Sequence, residues 1–444
     1  SRLRHKRLHN AIGIALEKVY AEKIDEHLGE LAYHFLEGGD KDKALKYFLK
    51  AGEKAQKIYA YDESFSYYQH ALELLEEREG TLEQRARITE KLGDLKLWMG
   101  RFEDCIDYGN KALVLWGQIG DRKAIANIHA KMAAVAWQFA GNREMASKHH
   151  HTALEILESE SESIELASLY EDIAHMLWRT GGSSEEAWSW AQKAFELAKK
   201  FNAHEVLVGC YNDLGTLSVK SGEVERALEY YKCGLKIAVE SKTAGQATAL
   251  YNNLCEIYAN TGQLQEAFKI AQEGLEFDRK VGDLYGMVWI KIMLAYCYFL
   301  IGDLQKAISL VEEAIALDKK IGYTSHMPYA MFALGYTYHW LGEWNKSLQF
   351  LLKAFELAKE VKEYQFAGSA AVELGELYMD MENLVEAEKF LKEGNDILEK
   401  AGDKAAQIRE SFPALSKFYL KTGEIEKAKN LIEKIRESAT RTEN

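Results

Sequence analysis

A glycine that returns every 40 or 41 residues constrains this chain more than any other feature of its sequence. The turn glycines of the series are Gly100, Gly141, Gly182, Gly222, Gly262, Gly302, Gly342 and Gly423. The last interval is two periods long, and Glu382 stands where the intervening glycine belongs. A fixed period of 20–50 residues is typical of solenoids. We therefore expect stacked copies of one small unit rather than separate globular domains.

Each period follows the same template of small residues around its turn glycine. In the sixth unit the small residues are Ala295, seven before Gly302, and Ala307 and Ala314 after it. Small side chains let two antiparallel helices approach closely, and a glycine between them can adopt the left-handed conformation that ends a helix. With only 2 prolines in 444 residues, long helices can run uninterrupted. Each unit is predicted to be helix A, a tight turn and helix B.

The order of small and large residues resembles the tetratricopeptide repeat. It is clearest in the run Leu294, Ala295, Tyr298, Gly302, Ala307 and Ala314. The usual period of that family is about 34, so the helices here are predicted to be longer. HEAT and armadillo repeats, with periods of about 40–47, fit the length alone, but this residue order favours the tetratricopeptide type. The resemblance implies an all-α, right-handed superhelical solenoid of helix pairs with a period of 40–41 residues.

The resemblance also sets the expected domain boundaries. Nine tetratricopeptide-like repeats are predicted over residues 81–436, after an irregular first helix pair at 41–80, with a frayed tail at 437–444. Pro413 falls inside the ninth helix A, so that helix is expected to start late or to kink.

Residues 1–40 are predicted to form a helical linker that follows a missing upstream module. Residues 7–12 (RLHNAI), 25–35 (DEHLGELAYHF) and 43–53 (KALKYFLKAGE) resemble the linker of the STAND signal-transduction ATPases. In that family the linker joins a nucleotide-binding module to a C-terminal repeat sensor. The resemblance implies that an ATPase module of the same polypeptide lies upstream and is this chain's partner. The first residue, Ser1, also suggests a piece cut from a longer protein.

Composition and motifs argue against chemistry in this chain. A net charge of −13 repels phosphate backbones, so we expect no nucleic-acid partner. The sequence has no GxxxxGK[ST], HExxH or GxSxG motif, so neither catalysis nor a cofactor is expected. Three consecutive histidines at 149–151 point in different directions on a helix, which favours a solvated face over a metal site.

Membrane insertion and secretion are not expected either. The most apolar run, residues 287–301, contains Lys291 and is shorter than the roughly 20 residues that span a bilayer. No signal peptide leads the chain, and its five cysteines lack disulfide or zinc spacing. We therefore expect a cytoplasmic location.

Helical geometry predicts which residues line the concave surface of the stack. With the turn glycine numbered 15, positions 2, 5, 9 and 12 fall on one side of helix A. The fourth and fifth repeats place polar residues there or beside it, namely Asn212, Asn252, Asn253 and Glu256. The sixth and seventh repeats place there or beside it Trp289, Tyr296, Phe299, Tyr329, Phe332, Tyr336, His339 and Trp340. These residues are the predicted ligand or partner site.

The aromatic part of this set is large enough to need an explanation. Seven rings of roughly 150–250 Å² each, half exposed, give about 500–900 Å², against about 300–600 Å² for the largest apolar patch of a typical monomer. Two interpretations remain open. The rings form an exposed site for a ligand, a partner or self-association, or tight curvature packs them against one another.

Two functions follow from these observations. The first is a sensor that binds an inducer (a small molecule, a peptide or a protein) in the concave groove and holds an upstream ATPase inactive until then. The alternative is a stand-alone, peptide-binding adaptor similar to kinesin light chain or the Leu-Gly-Asn-type polarity adaptors. Asn212 and Asn252 favour the adaptor, because asparagines can hold an extended peptide backbone. The linker resemblance favours the sensor.

Overall fold

The computed structural model describes residues 2–58, 60–138, 142–180, 182–321, 326–361, 363–401 and 406–442. Within these ranges the chain is a succession of helices joined by short turns, and no strand occurs. Each helix packs mainly against the next one along the chain. This arrangement confirms the all-α, tetratricopeptide-like solenoid. The chain divides into two compact units, residues 1–161 and 162–444.

The first unit contains eight α-helices within its described residues. They are α1 (Arg2–Val19), α2 (Leu28–Gly38), α3 (Lys41–Lys57), α4 (Tyr61–Glu76), α5 (Leu82–Trp98), α6 (Phe102–Ile119), α7 (Arg122–Gln138) and α8 (Arg143–Glu158). A 3₁₀ helix, Ala21–His27, separates α1 from α2. Leu31, Phe35 and Tyr68 are almost completely buried in the core that α2, α3 and α4 share.

The second unit contains fourteen α-helices within its described residues. They are α9 (Ile164–Arg179), α10 (Ser184–Lys200), α11 (His204–Lys220), α12 (Val224–Ser241), α13 (Ala244–Asn260), α14 (Leu264–Val281), α15 (Leu284–Leu300), α16 (Leu304–Ile321), α17 (Met327–Trp340), α18 (Trp344–Glu360), α19 (Tyr364–Asp380), α20 (Leu384–Lys400), α21 (Phe412–Lys421) and α22 (Ile425–Thr442). From α9 onward the odd-numbered helices correspond to helix A and the even-numbered ones to helix B.

The turn between helix A and helix B takes the backbone conformation that the sequence predicts. The turn glycines with a left-handed φ are Gly100, Gly222, Gly262, Gly302, Gly342 and Gly423. Glu382, at the place of the missing glycine, has the same conformation, with φ of 59°. A residue with a Cβ atom is strained there, so the fold rather than the local sequence imposes this turn. Gly141 lies outside the described residues.

Small residues sit where helices A and B touch. A Cβ atom added to Gly215 would lie 2.4 Å from Tyr231 Cε1, and one added to Gly335 would lie 2.7 Å from Leu351 Cγ. Ala307 on α16 is 1% exposed, whereas Lys306 beside it points to solvent. The predicted phase of these helices is therefore the observed one.

The ninth helix A begins irregularly. Residues Gln407–Ser411 form a π-helical turn, and α21 starts immediately after it with Pro413 in its first turn. Proline has no N–H to donate and is tolerated at the start of a helix, which explains why the regular helix begins there.

None of the helices in the described ranges combines the length and the apolar character that a bilayer crossing requires. The apolar helix α15 is instead an inner helix of the second unit, packed between α13, α14, α16 and α17.

Candidate binding groove

Helices α11, α13, α15 and α17 carry all twelve predicted site residues and form a continuous surface. Asn253 Nδ2 on α13 donates to Asn212 Oδ1 on α11 at 2.7 Å. The Tyr296 hydroxyl on α15 donates to Asn260 Oδ1 on α13 at 2.9 Å. Phe299 on α15 contacts Tyr336 on α17, with ring centroids 5.1 Å apart. The structure thus brings the polar and the aromatic residues together on adjacent helices.

The polar end offers hydrogen-bonding groups of two kinds. Asn212 and Asn253 bond to each other, so their amides are partly satisfied within the protein. Asn252 Oδ1 is buried and has no hydrogen-bond partner in the described residues. A buried acceptor without a partner costs free energy, and a ligand N–H group that reached it would recover that cost.

Glu256, next along α13, is reached by solvent but has protein on several sides, as expected inside a groove. Burial raises the pKa of its carboxyl group above the usual value, and the positive charge of Arg409 opposes that shift. Arg409 belongs to the π-helical turn before α21. The groove of the second unit therefore has charged groups of both signs facing its polar end.

The aromatic end begins at Trp289 on α15. Its ring lies 4.7 Å from that of Tyr329 and 4.9 Å from that of His326, both measured between centroids. Tyr329 in turn contacts Phe366 on α19 at 4.3 Å. Burial, together with the charge of Glu363, raises the pKa of Tyr329 to about 12. The phenol is therefore neutral at physiological pH and available as a hydrogen-bond donor.

The row of rings continues along α17. Phe332 stacks on Tyr336 with centroids 5.8 Å apart and an angle of 8° between the planes. Tyr336 and Phe299 both contact Trp340, at centroid distances of 6.4 and 6.0 Å. Trp340 is 66% exposed, and the other three rings are half-buried. The rings therefore pack on one another and also keep accessible surface.

His339 is held between two carboxylates of α19. Its Nδ1 lies 2.7 Å from Glu373 Oε1, and its Nε2 lies 3.0 Å from Asp380 Oδ2. Burial alone would lower the pKa of His339, but the hydrogen bonds and charges of Glu373 and Asp380 outweigh burial and raise it. This histidine fixes α17 against α19 and brings negative charge close to Tyr336.

An ion pair links distant helices of the second unit. Arg179 Nη2, at the end of α9, lies 3.6 Å from Glu363 Oε1, directly before α19. Nine helices separate these two residues along the chain, so the unit curves far enough to bring its third and eighth repeats into contact. Helices α11 to α17 lie between them in the chain and carry the candidate site.

Sequence reasoning missed the contribution of α19 to this surface. The positional count that finds Tyr336, extended to the eighth helix A, reaches Glu376 at position 9. It does not reach Phe366, which precedes position 1 of that helix and contacts both Tyr329 and Phe332. The curvature that brings Arg409 toward Glu256 has no signature in the sequence.

Comparisons with known proteins support the same architecture. A tetratricopeptide repeat family model matches residues 246–320, which include α14, α15 and most of α13 and α16. The fold is that of a tetratricopeptide-like solenoid. A search of curated proteins finds no significant match.

Several solved structures are similar to this chain at low sequence identity. A Rap protein complexed with competence and sporulation factor is 11% identical over 81% of this chain and 99% of its own, with a TM-score of 0.57. The apo quorum sensor NprR from B. thuringiensis is 15% identical over 78% of this chain and 99% of its own, with a TM-score of 0.51. A STAND protein with a tetratricopeptide repeat sensor from Pyrococcus horikoshii is 16% identical over 80% of this chain and 53% of its own, with a TM-score of 0.48.

Proposed function

We propose that the second unit is a sensor that binds a peptide-like inducer along α11, α13, α15 and α17, and that this binding regulates an upstream signal-transduction ATPase. The observation that carries the proposal is the row of partly accessible rings from Trp289 to Trp340 on α15 and α17, with the buried acceptor of Asn252 on the adjacent helix α13. An extended peptide offers both complements, because its side chains can cover rings while its backbone N–H groups satisfy acceptors.

The size of the aromatic surface fits a segment of a few residues. Aromatic contacts add about 0.5–1.5 kcal/mol each beyond the area that they bury. Three or four such contacts give about 1.5–6 kcal/mol in all, and the apolar area that they bury and a hydrogen bond to Asn252 add to it. The acidic groups near Tyr336, on α19, favour a ligand that also carries positive charge.

Regulation requires that the ligand bind one conformation better than another. The Arg179–Glu363 ion pair joins helices on either side of the candidate site, and both side chains are partly exposed. An exposed pair of this kind contributes about 0–1 kcal/mol, so a modest binding energy is enough to change it. We propose that inducer binding changes the curvature of the second unit and breaks or strengthens the Arg179–Glu363 pair. This change would release the upstream ATPase from inhibition.

Two lines of similarity support the sensor. The Rap protein has the same fold and was crystallised with competence and sporulation factor, and NprR, also of this fold, is a quorum sensor. The upstream ATPase rests on the resemblance of residues 7–53 to the STAND linker. We propose a cytoplasmic location for such a protein, with no nucleic acid or membrane as partner.

The alternative is a stand-alone peptide-binding adaptor, and the Asn212–Asn253 pair with Asn252 beside it favours that function. Self-association through the exposed ring of Trp340 is a further alternative. ATP hydrolysis by the full polypeptide, measured with and without a bound peptide, separates the sensor from the adaptor. The sensor predicts hydrolysis that the peptide stimulates, and the adaptor predicts none.

The binding site is tested by selecting peptides from a random display library against the whole chain and titrating the best binder by calorimetry. We expect Tyr336→Ala and Trp289→Ala to weaken binding at least tenfold without changing the circular dichroism spectrum. Trp344→Ala is the matched control, because Trp344 is an exposed tryptophan at the start of α18, a helix B. Equal affinities for Tyr336→Ala, Trp289→Ala and the wild type would show that the rings are not the site.

A further inference from the structure

Three ligand-type side chains of the second unit meet between α9 and α11, in the third and fourth repeats. Glu171 and His175 lie one helical turn apart on α9, and Asp213 lies on α11. One potential ligand atom from each residue lies within 4.8 Å of the others, and no second group of this kind occurs in the ranges that the structure describes. The three residues come from two neighbouring helices A, and residues 171 and 213 are 42 positions apart, about one repeat.

Asp213 is the decisive member. Its side chain is completely buried, and its Oδ1 atom accepts hydrogen bonds from His175 Nδ1 and Trp178 Nε1, both at 2.9 Å. Its Oδ2 atom is buried and has no hydrogen-bond partner in the described part of the chain. A buried carboxylate oxygen without a partner is costly, and a cation bound to it would remove that cost.

The backbone of α11 leaves room for the Glu171 carboxylate. A Cβ atom added to Gly209 would lie 2.3 Å from Glu171 Oε1 and 2.8 Å from its Cδ. Any side chain at position 209 would therefore displace Glu171 from Asp213. Gly209 is a buried residue inside α11. A glycine inside a helix weakens that helix by about 1 kcal/mol relative to alanine. The close approach of Glu171 gives this glycine a role.

We propose that Glu171, His175 and Asp213 bind a divalent transition-metal cation such as Zn²⁺. Ligand atoms about 2.1 Å from one tetrahedral ion lie about 3.4 Å apart, so ligand atoms within 4.8 Å of one another close on an ion by shifts of about 1 Å. One imidazole with two carboxylates suits Zn²⁺, Co²⁺ or Mn²⁺ better than Ca²⁺, which prefers six to eight oxygen ligands. Trp178 orients the Asp213 carboxylate, as outer-shell donors do in metal sites.

The ion would tie two neighbouring helices A together. The site lies on α9 and α11, so it stands apart from the aromatic end on α15 and α17 and does not depend on the proposed function. The closing end of α9 carries Arg179, one turn beyond His175, so metal binding would also stiffen the helix that makes the ion pair with Glu363.

Zinc binding to the metal-free whole chain is measured by equilibrium dialysis, and the visible spectrum of the Co²⁺ form reports the ligands. We expect the wild-type chain to bind one equivalent of Zn²⁺, and we expect the affinity to fall at least tenfold in Glu171→Gln and His175→Gln. Gly209→Ala keeps all three ligands but moves Glu171, and we expect a loss of similar size. Gly245→Ala is the matched control, because nothing lies within 4 Å of a Cβ atom at that helical glycine.

Two histidine pairs of the first unit are the main competitors for zinc. His129 Nδ1 lies 2.8 Å from His149 Nδ1, and His9 Nδ1 lies 3.0 Å from His34 Nδ1. The double variant His129→Gln, His149→Gln is expected to bind one equivalent of Zn²⁺ as the wild type does. Wild-type affinity in both His175→Gln and Gly209→Ala, each folded by circular dichroism, would overturn the site. Equal competition by Ca²⁺ would overturn the assignment to a transition metal.

Discussion

Helices α13 and α15 are neighbours built on the same template, yet their inner faces are opposite in character. Their core residues correspond, with Cys255 and Ala295 both buried seven residues before a left-handed glycine. Their inner positions do not correspond, because Asn252 and Glu256 on α13 are replaced by Ile292 and Tyr296 on α15. The fold therefore specifies the core and the turns but not the inner surface. The residues at the inner positions can therefore vary with the ligand without disturbing the fold.

The same contrast extends to buried charge at the ends of the two helices B. Asp278 on α14 and Asp318 on α16 are equivalent and completely buried. Asp278 accepts a hydrogen bond from Thr248 at 2.7 Å, whereas Asp318 lies 2.8 Å from His326 Nδ1. Val288 stands at the place of Thr248 in the next repeat, and His326 at the place of Gly286. The buried aspartate of α14 thus has a neutral partner, Thr248, whereas that of α16 has an ionisable partner, His326.

The largest effect is expected from Asp278→Asn. Burial raises the pKa of Asp278 to about 7, so the stability that this group gives is complete below its unfolded pKa, near 4, and is lost as the pH rises through 7. A shift of this size corresponds to a few kcal/mol at most. We expect Asp278→Asn to be more stable than the wild type at pH 8, with little difference at pH 4.

Urea unfolding at both pH values measures this difference. Asp318→Asn is the comparison variant and is expected to lose stability at pH 8, because an amide oxygen is a weaker acceptor for His326 Nδ1 than the carboxylate that it replaces. An equal gain in stability at pH 8 in Asp278→Asn and Asp318→Asn would contradict the proposed difference between the two buried aspartates.

The second effect tests whether the cores are equivalent. Ala267→Leu on α14 and Ala307→Leu on α16 each add bulk at a site no more than 1% exposed. Overpacking of this kind costs about 1–3 kcal/mol, and we expect similar losses at the two sites. Thermal unfolding is the measurement, with Lys306→Leu on the exposed face as a control of little effect. A loss in Lys306→Leu as large as that in Ala307→Leu would mean that the helix phase is wrong.

The smallest effect concerns the turn that lacks its glycine. Glu382→Gly removes the strain of a left-handed residue, and we expect a gain of about 1 kcal/mol. Gly302→Ala, the reverse change in the sixth repeat, is expected to lose a similar amount. A shift in melting temperature of opposite sign in the two variants checks the prediction, and a loss in Glu382→Gly would contradict it.

Much of this fold could be predicted from spacing alone. The period predicts the helix pairs, and it places Glu382 in the turn series, where its φ is 59°. The twelve predicted site residues do lie on adjacent inner helices. Contacts across the curvature could not be predicted, because Arg179 with Glu363 and Glu171 with Asp213 join residues far apart in sequence. No local pattern encodes how far each repeat rotates relative to the last.

Hydroxyl-radical footprinting of the whole chain, with and without a selected peptide, tests the central claim most directly. It reports the solvent accessibility of individual aromatic side chains, and tryptophan is among the most reactive. We predict that the peptide protects Phe299, Tyr336 and Trp340 and leaves Trp344 unchanged. Unchanged reactivity of these three rings, with protection at helix B residues such as Trp344, would contradict the account.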